Sequence, residues 1–278
     1  MTDRYAVIGN PVAHSRSPSI HAHFARQTGQ DLEYGRLLAP LDGFVVAVEH
    51  FRDAGGCGLN VTLPFKSEAH AWAARRSARA QVAGAVNTLR FDRDGAWGDN
   101  TDGAGLVRDL EDRLGVALAG RSVLILGAGG ATRGVIGPLI EAGVARLTIA
   151  NRTAARAIAL VDEFAGMAAG RLRGCGFDDA GDGHDLLVNA TSAGLVGERL
   201  PIADALFAGA VLAYDMFYAA RETAFVAQAR EGGCARACDG LGMLVEQDAE
   251  SFLAWRGVRP LTAPVYEALR TELAAGVA

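Results

Sequence analysis

Residues 121–156, RSVLILGAGGATRGVIGPLIEAGVARLTIANRTAAR, decide the fold. Val123-Leu124-Ile125-Leu126 is a short apolar run of the kind that forms a strand buried on both faces. Gly127-Ala128-Gly129-Gly130-Ala131 follows as a turn nearly free of side chains. From Ala131 to about Ala142, the apolar residues Val135, Ile136, Leu139 and Ile140 recur at helical spacing, and Gly143 supplies a stop. Pro138 inside that stretch predicts a kink. Leu147-Thr148-Ile149-Ala150 reads as a second strand. Strand, glycine-rich turn, helix and strand together make the unit that seats a dinucleotide pyrophosphate on a helix N-terminus. The glycine fingerprint is incomplete, because Thr132 stands where a small residue is usual.

The end of the second strand selects the nucleotide. A site for NAD places Asp or Glu there, about 20 residues after the turn, to accept from the ribose hydroxyl. This chain has Asn151-Arg152-Thr153, with Arg156 one turn on and no competing carboxylate. Arg152 and Arg156 can clamp a 2′-phosphate by forked, charge-assisted hydrogen bonds, so the expected cofactor is NADP. Two solvated surface arginines would give the same string. Cations near a helix N-terminus are disfavoured by its dipole, which favours the reading with an anionic ligand.

Outward from this unit, the 278 residues suffice for two domains. Half are hydrophobic and 7% aromatic, with 35 glycines, which favours an α/β protein over a β-sandwich. The formal net charge of −5 offers no global field for nucleic acid or anionic lipid, so an anionic substrate must meet local donors. Cys57, Cys175, Cys234 and Cys238 show neither a disulfide framework nor zinc-site spacing, so no metal is expected. Tyr5-Ala6-Val7-Ile8-Gly9 reads as a strand rather than a signal peptide, and no apolar run is long enough for a bilayer. A soluble, cytoplasmic protein is expected.

In Asn10–Pro18, Ser17 followed by Pro18 signals a helix start, with Ile20, Phe24 and Ala25 on its buried face. Ser15 and Ser17 bring two hydroxyls to a positive helix end, a fit place for a carboxylate. Capping alone would account for Ser17 and leave only Ser15 over. His21 and His23 point to different sides of the helix and make no metal pair. A helix is expected over 44–55, a loop over 56–58, and a strand over Leu59–Leu63 that puts Asn60 and Thr62 on one face. Lys66 follows in a loop at the strand's C-terminal end, where open α/β sheets put their chemistry, although most loop lysines are solvated charges. Asp102 precedes a helix, where an N-cap is the default role. Strands and helices alternate through 121–240, as a doubly wound domain requires. A helix from Leu241 carries Met243, Leu244, Gln247, Ser251 and Trp255 at three- and four-residue steps, and a last helix spans Pro264–Ala275.

With these residues laid out, the chain resembles the shikimate dehydrogenase family nearly end to end. The matching strings are YAVIGNPVAHSRSPSIH, NVTLPFK, AGAVNTL, GDNTDG, LGAGGATRG, NRT, NATSAG, YDMFY and DGLGMLVEQ, in that order. The resemblance implies an N-terminal α/β substrate domain, 1–102 plus about 241–278, and a doubly wound Rossmann-type NADP domain, 103–240. It implies reversible NADPH-dependent reduction of 3-dehydroshikimate to shikimate, on the route to chorismate and the aromatic amino acids. Lys66 resembles the catalytic lysine and Asp102 its partner. Ser15 and Ser17 look like the pair that holds the substrate carboxylate, with Tyr218 near it. Asn60, Thr62, Asn87, Asp102 and Gln247 look like the ring-hydroxyl binders. Gly127, Ala128, Gly129, Gly130, Ala131, Asn151, Arg152, Thr153 and Arg156 resemble the NADP contacts, with Thr191, Met216, Gly240 and Met243 around the nicotinamide. The segment Tyr218–Ala224 departs from the family in lacking a proline after its threonine. The expected partner is a small molecule, without nucleic acid or membrane, on a monomer or homodimer. A quinate/shikimate dehydrogenase with looser substrate or cofactor use is the nearest alternative. A non-catalytic NADP-binding regulator is the other, against which Lys66 and Asp102 speak.

Overall fold

The computed structural model describes residues 2–168, 170–193 and 197–276. Gly194, the last residue of the NATSAG string, lies outside them. The chain divides into two units, one containing residues 2–105 with Leu244–Glu272, the other Leu106–Met243 with residues 273–276.

The first unit runs β1 (Asp3–Gly9), α1 (Ser17–Thr28), β2 (Leu32–Leu38), α2 (Phe44–Asp53), β3 (Gly56–Val61), α3 (Lys66–Trp72), β4 (Arg75–Arg76), α4 (Ala78–Ala83), β5 (Thr88–Asp92) and β6 (Gly95–Asp99). Its sheet has the order β2-β1-β3-β5-β6-β4, with β1 parallel to both β2 and β3, and β5 antiparallel to β3 and β6. Ile8, Phe44, Leu59, Phe65, Val86 and Leu89 form the core against the sheet. The expected loop at 56–58 is instead the start of β3. Its Gly58 sits so close to the antiparallel neighbour that an added β-carbon would lie 2.5 Å from the Leu89 carbonyl oxygen, so the missing side chain permits the pairing. α3 and α4 are too short to show a period in sequence; α4 is marked only by its ends, Ser77 accepting from the Ala80 amide and Gly84 closing it.

The second unit takes in the C-terminal end of α5 (Asp102–Arg108) and a π-helical turn (Asp109–Arg113), then β7 (Ser122–Leu126), α6 (Gly130–Glu141), β8 (Arg146–Ala150), α7 (Ala154–Ala168), β9 (Leu172–Cys175), β10 (Leu186–Asn189), β11 (Leu212–Asp215), α8 (Ala224–Glu231) and β12 (Ala237–Asp239). All neighbours in the order β12-β11-β10-β7-β8-β9 are parallel. The sequence order reverses between β7 and β10, which places the loop after β7 at the switch point where open α/β sheets bind ligands. Val123 and Ile125 pack into one core layer while Leu124 and Leu126 pack into the other, as a strand covered on both faces requires. α6 continues through Pro138 to Glu141.

α9 (Leu241–Arg256) and α10 (Ala263–Ala274) end the chain. The C-terminal half of α9 is tied into the first unit: Trp255 donates to the Leu89 carbonyl at 2.9 Å and stacks on Tyr5 at 4.6 Å, and Arg256 pairs with Asp3.

Candidate active site

In the first unit, several separated stretches of chain meet in one polar network. Lys66 is the first residue of α3 rather than a loop residue, and its Nζ donates to Asp102 Oδ2 at 2.6 Å. The Asp102 side chain is 3% exposed and that of Lys66 23%, so the carboxylate is fixed and the ammonium still reaches solvent. Asn87 Nδ2 donates to the other carboxylate oxygen at 2.7 Å. Asn87 is held in turn, its Oδ1 accepting from the Thr101 amide at 2.8 Å and the Thr88 hydroxyl at 2.9 Å. Asp102 therefore does not cap its helix, as its sequence position would have it; it is the first helical residue, and its carboxylate turns to Lys66 and Asn87.

Asn60, on β3, lies in the same network. Its amide donates to Ser251 Oγ at 2.8 Å, and its carbonyl accepts from Tyr34 at 2.6 Å. Ser251 also lies 2.8 Å from Thr88 Oγ1. These groups are almost wholly removed from water, where leaving any one unpaired costs about 1–3 kcal/mol. The sequence shows Ser251 only as a helix-face residue four after Gln247; Thr88 and Thr101 fall within AGAVNTL and GDNTDG without being singled out there, and Tyr34 lies in none of the matching strings. Thr62 follows β3, with its amide on the Ile8 carbonyl, and Gln247 is half-buried on α9.

The serines at α1 exchange the roles expected of them. Arg16 occupies the cap position without capping the helix through its side chain, Ser17 is already helical, and Ser15 Oγ accepts the Ser17 amide at 3.3 Å. Pro18, which needs no amide partner, explains why the helix can begin this early. Capping therefore does not account for the Ser17 side chain. It is buried, against Tyr34 of β2 and Asp248 of α9.

The second unit supplies backbone where the first supplies side chains. Gly127 adopts φ 109°, and a β-carbon there would come within 3.1 Å of Ala190, so glycine is required. Gly129 starts α6 without any side-chain cap, leaving the amides of the first turn for another acceptor. A β-carbon built on Gly129 or Gly130 meets no atom within 4 Å, so the space above the turn is open. Thr132 resolves the incomplete fingerprint: it is fully buried, and its hydroxyl donates to the Gly127 carbonyl at 2.8 Å, bracing the loop from below. Arg152 and Arg156 are exposed, and Asn151 donates to the Thr153 carbonyl at 2.9 Å, tightening the turn that carries them. This donor set, free helix amides and two guanidiniums without a carboxylate, fits a phosphorylated dinucleotide.

Further along that sheet, Thr191 Oγ1 donates to Asn189 Oδ1 at 2.7 Å. Met216 follows β11, and Gly240 passes so near it that a β-carbon would lie 2.4 Å from the Met216 carbonyl oxygen. The Met243 amide donates to Tyr214 Oη at 3.2 Å, and Tyr214 donates to buried Asp109 at 2.6 Å. Tyr214 and Asp109 were not singled out by sequence, since each reads as an ordinary strand or helix residue. Tyr218 stands next to Phe217 in the same unit, their rings 6.3 Å apart. Among the described residues no three or more His, Cys, Asp or Glu side chains group as metal ligands, and no helix is long and apolar enough to cross a membrane.

A parallel, doubly wound sheet with an NADP-type phosphate loop, joined in one chain to an α/β unit carrying a lysine–aspartate pair, defines an NADP-dependent oxidoreductase. Sequence comparison narrows the class. Residues 7–89 match the shikimate dehydrogenase substrate binding domain, and residues 109–196 match shikimate / quinate 5-dehydrogenase. Shikimate dehydrogenase (NADP(+)) of Dechloromonas aromatica (strain RCB) is 56% identical over 276 residues, covering 99% of this chain and 100% of that protein. Among solved structures, an Ael1 enzyme from Pseudomonas putida aligns with a TM-score of 0.91 at 48% identity, covering 96% of this chain and 98% of the other. Shikimate 5-dehydrogenase of Thermus thermophilus, solved with NADP(H) and shikimate, aligns at 0.87 and 36% identity, covering 97% and 99%. The chain belongs to the shikimate dehydrogenase family.

Proposed function

We propose that this protein catalyses the reversible NADPH-dependent reduction of 3-dehydroshikimate to shikimate in chorismate biosynthesis, with Lys66 as general acid and, in reverse, general base. The observation that carries this reading is the Lys66–Asp102 contact of 2.6 Å, with Asn87 holding the second oxygen at 2.7 Å. A ketone becoming an alcohol gathers negative charge on its oxygen. An ammonium beside that oxygen stabilises the charge and then gives up its proton. Asp102 aims the ammonium, and Asn87 keeps Asp102 from turning away. When bound, NADPH supplies the hydride. Gly127, Ala128, Gly129, Gly130, Ala131, Asn151, Arg152, Thr153 and Arg156 would hold its phosphates and ribose, and Thr191, Met216, Gly240 and Met243 its nicotinamide.

Ser15, Ser17 and Tyr218 receive the substrate carboxylate in this reading, and Asn60, Thr62, Asn87 and Gln247 receive the ring oxygens. An analogue lacking one hydroxyl leaves a site group unpaired, which selects by hydrogen bonding rather than bulk. Residues 1–102 with 241–278 serve the substrate and 103–240 serve NADP. We place the enzyme in the cytoplasm as a monomer or homodimer, without a nucleic-acid or membrane partner. Initial rates with shikimate and quinate, each against NADP and NAD, test the assignment. Dominant turnover of shikimate with NADP is expected. Comparable turnover of quinate would move the protein to the quinate/shikimate enzymes, and NADPH binding without any turnover would make it a regulator.

A further inference from the structure

Beside the first unit's network lies a buried pair that the reaction does not use. Asp248 on α9 is 2% exposed and His21 on α1 is 1% exposed. Asp248 Oδ2 faces His21 Nε2 at 3.9 Å, and neither atom has a hydrogen-bond partner among the described residues. The His21 ring is stacked on Tyr34 at 4.2 Å. The Ser17 side chain lies against both Tyr34 and Asp248. The charged and titratable groups around Asp248 are therefore few. From α1 comes His21. From β2 come Tyr34 and, acting on it from farther along the strand, Arg36, whose guanidinium is bound to the Ser15 carbonyl. From α5 comes the charge of Asp102, paired with Lys66 of α3. On α9 itself, Glu246 and Glu250 are engaged by Arg259. Among the described residues, no lysine or arginine forms an ion pair with Asp248.

We propose that Asp248 is a positioning residue that makes the grip of Ser17 on the substrate carboxylate conditional on a proton. The proposal rests on the reading that Ser17 receives that carboxylate. With Asp248 neutral, a substrate carboxylate meets a hydroxyl backed by an uncharged group. With Asp248 ionised, two carboxylates compete for one hydroxyl in a poorly solvated place and repel each other. Binding above neutral pH then draws one proton from solvent onto Asp248: two anions and a proton enter, and a complex with one anion and one neutral acid results. Burial, seconded by the Asp102 charge, pushes Asp248 up to about 7, and burial pushes His21 down to about 3, so the imidazole offers no compensating cation. The sign follows. A raised pKa extends the range over which Asp248 stays neutral and able to support binding, so affinity is full below neutrality and lost as pH rises through the Asp248 titration.

Isothermal titration of the intact enzyme at pH 8, in buffers of differing ionisation enthalpy, reads the proton directly. Uptake of about one proton per shikimate bound is expected, and little for the methyl ester of shikimate, which lacks the charge. Asp248→Asn should abolish the difference and leave the KM for shikimate flat from pH 6 to 9, where the native KM climbs by up to about tenfold per pH unit above neutrality. Equal uptake for acid and ester, or undiminished uptake by Asp248→Asn, would overturn the proposal. The acid–ester comparison needs no variant, so a misfolded Asp248→Asn does not rescue it. Ser17→Ala separates the two ideas: it should raise KM at pH 6 whatever Asp248 does. An unchanged KM would remove the Ser17 reading and the proposal with it, whereas a raised KM together with failed proton uptake would remove the proposal alone.

Discussion

The two units build their candidate binding groups by opposite means. In the first unit, Asp102, Asn87 and Asn60 are buried in one hydrogen-bond network, from which Lys66, held by Asp102, still reaches solvent. In the second, the Gly127–Ala131 loop presents backbone amides, and Arg152 and Arg156 stand exposed, in no carboxylate ion pair among the described residues. A proton relay needs atoms held to a fraction of an ångström, which a closed hydrogen-bond network provides. A dianionic phosphate needs unspent donors, which a helix terminus and solvated guanidiniums provide. The first half is prepaid, and the second waits for its ligand.

That contrast can be broken by single substitutions. The largest effect is expected at Lys66→Ala, which should cut kcat by about 10²–10⁴ while leaving NADPH affinity nearly unchanged, as checked by steady-state rates and fluorescence titration of NADPH. Equal loss of cofactor affinity would mean that Lys66 is structural and that the halves are not separable. Next comes Arg152→Ala, which removes a charge-assisted bond and should weaken NADPH about 10–100-fold while barely changing NADH, read by the ratio of their dissociation constants. An unchanged ratio would withdraw the arginine from 2′-phosphate recognition. The smallest effect is expected at Thr132→Val, which keeps the volume and removes the bond to the Gly127 carbonyl. It should cost about 1–2 kcal/mol in denaturant unfolding, with a modest rise in KM for NADPH and none for shikimate.

The same contrast explains what could be read from the sequence. The nucleotide half is contiguous: strand, glycine turn, helix and the Asn151-Arg152-Thr153 corner follow one another within 121–156, so period and turn chemistry expose it. The substrate half is assembled from residues 60, 66, 87, 102 and 251, and nothing local marks Lys66 as more than a solvated charge. There the family strings, not the spacing, single out the residues. Two errors have local causes. Lys66 is assigned to a loop because the seven residues of α3 are too few for a period to show. Ser17 is taken as a cap because Ser-Pro is the usual start signal, yet Ser15 supplies the oxygen and the helix begins one residue early. Asp248 could have been noticed as a carboxylate at helical core spacing from buried Val245 and Phe252, a place where an ionised group is costly.

The most direct measurement is single-turnover oxidation of NADPH by 3-dehydroshikimate in Lys66→Ala, with and without added primary amines. If Lys66 delivers the proton, the chemical step falls by about 10²–10⁴ and small amines, acting as their ammonium ions, restore part of it, more so the more acidic the ammonium. A hydride-transfer rate equal to that of the native enzyme, or a loss that no amine repairs while NADPH still binds, would contradict the account.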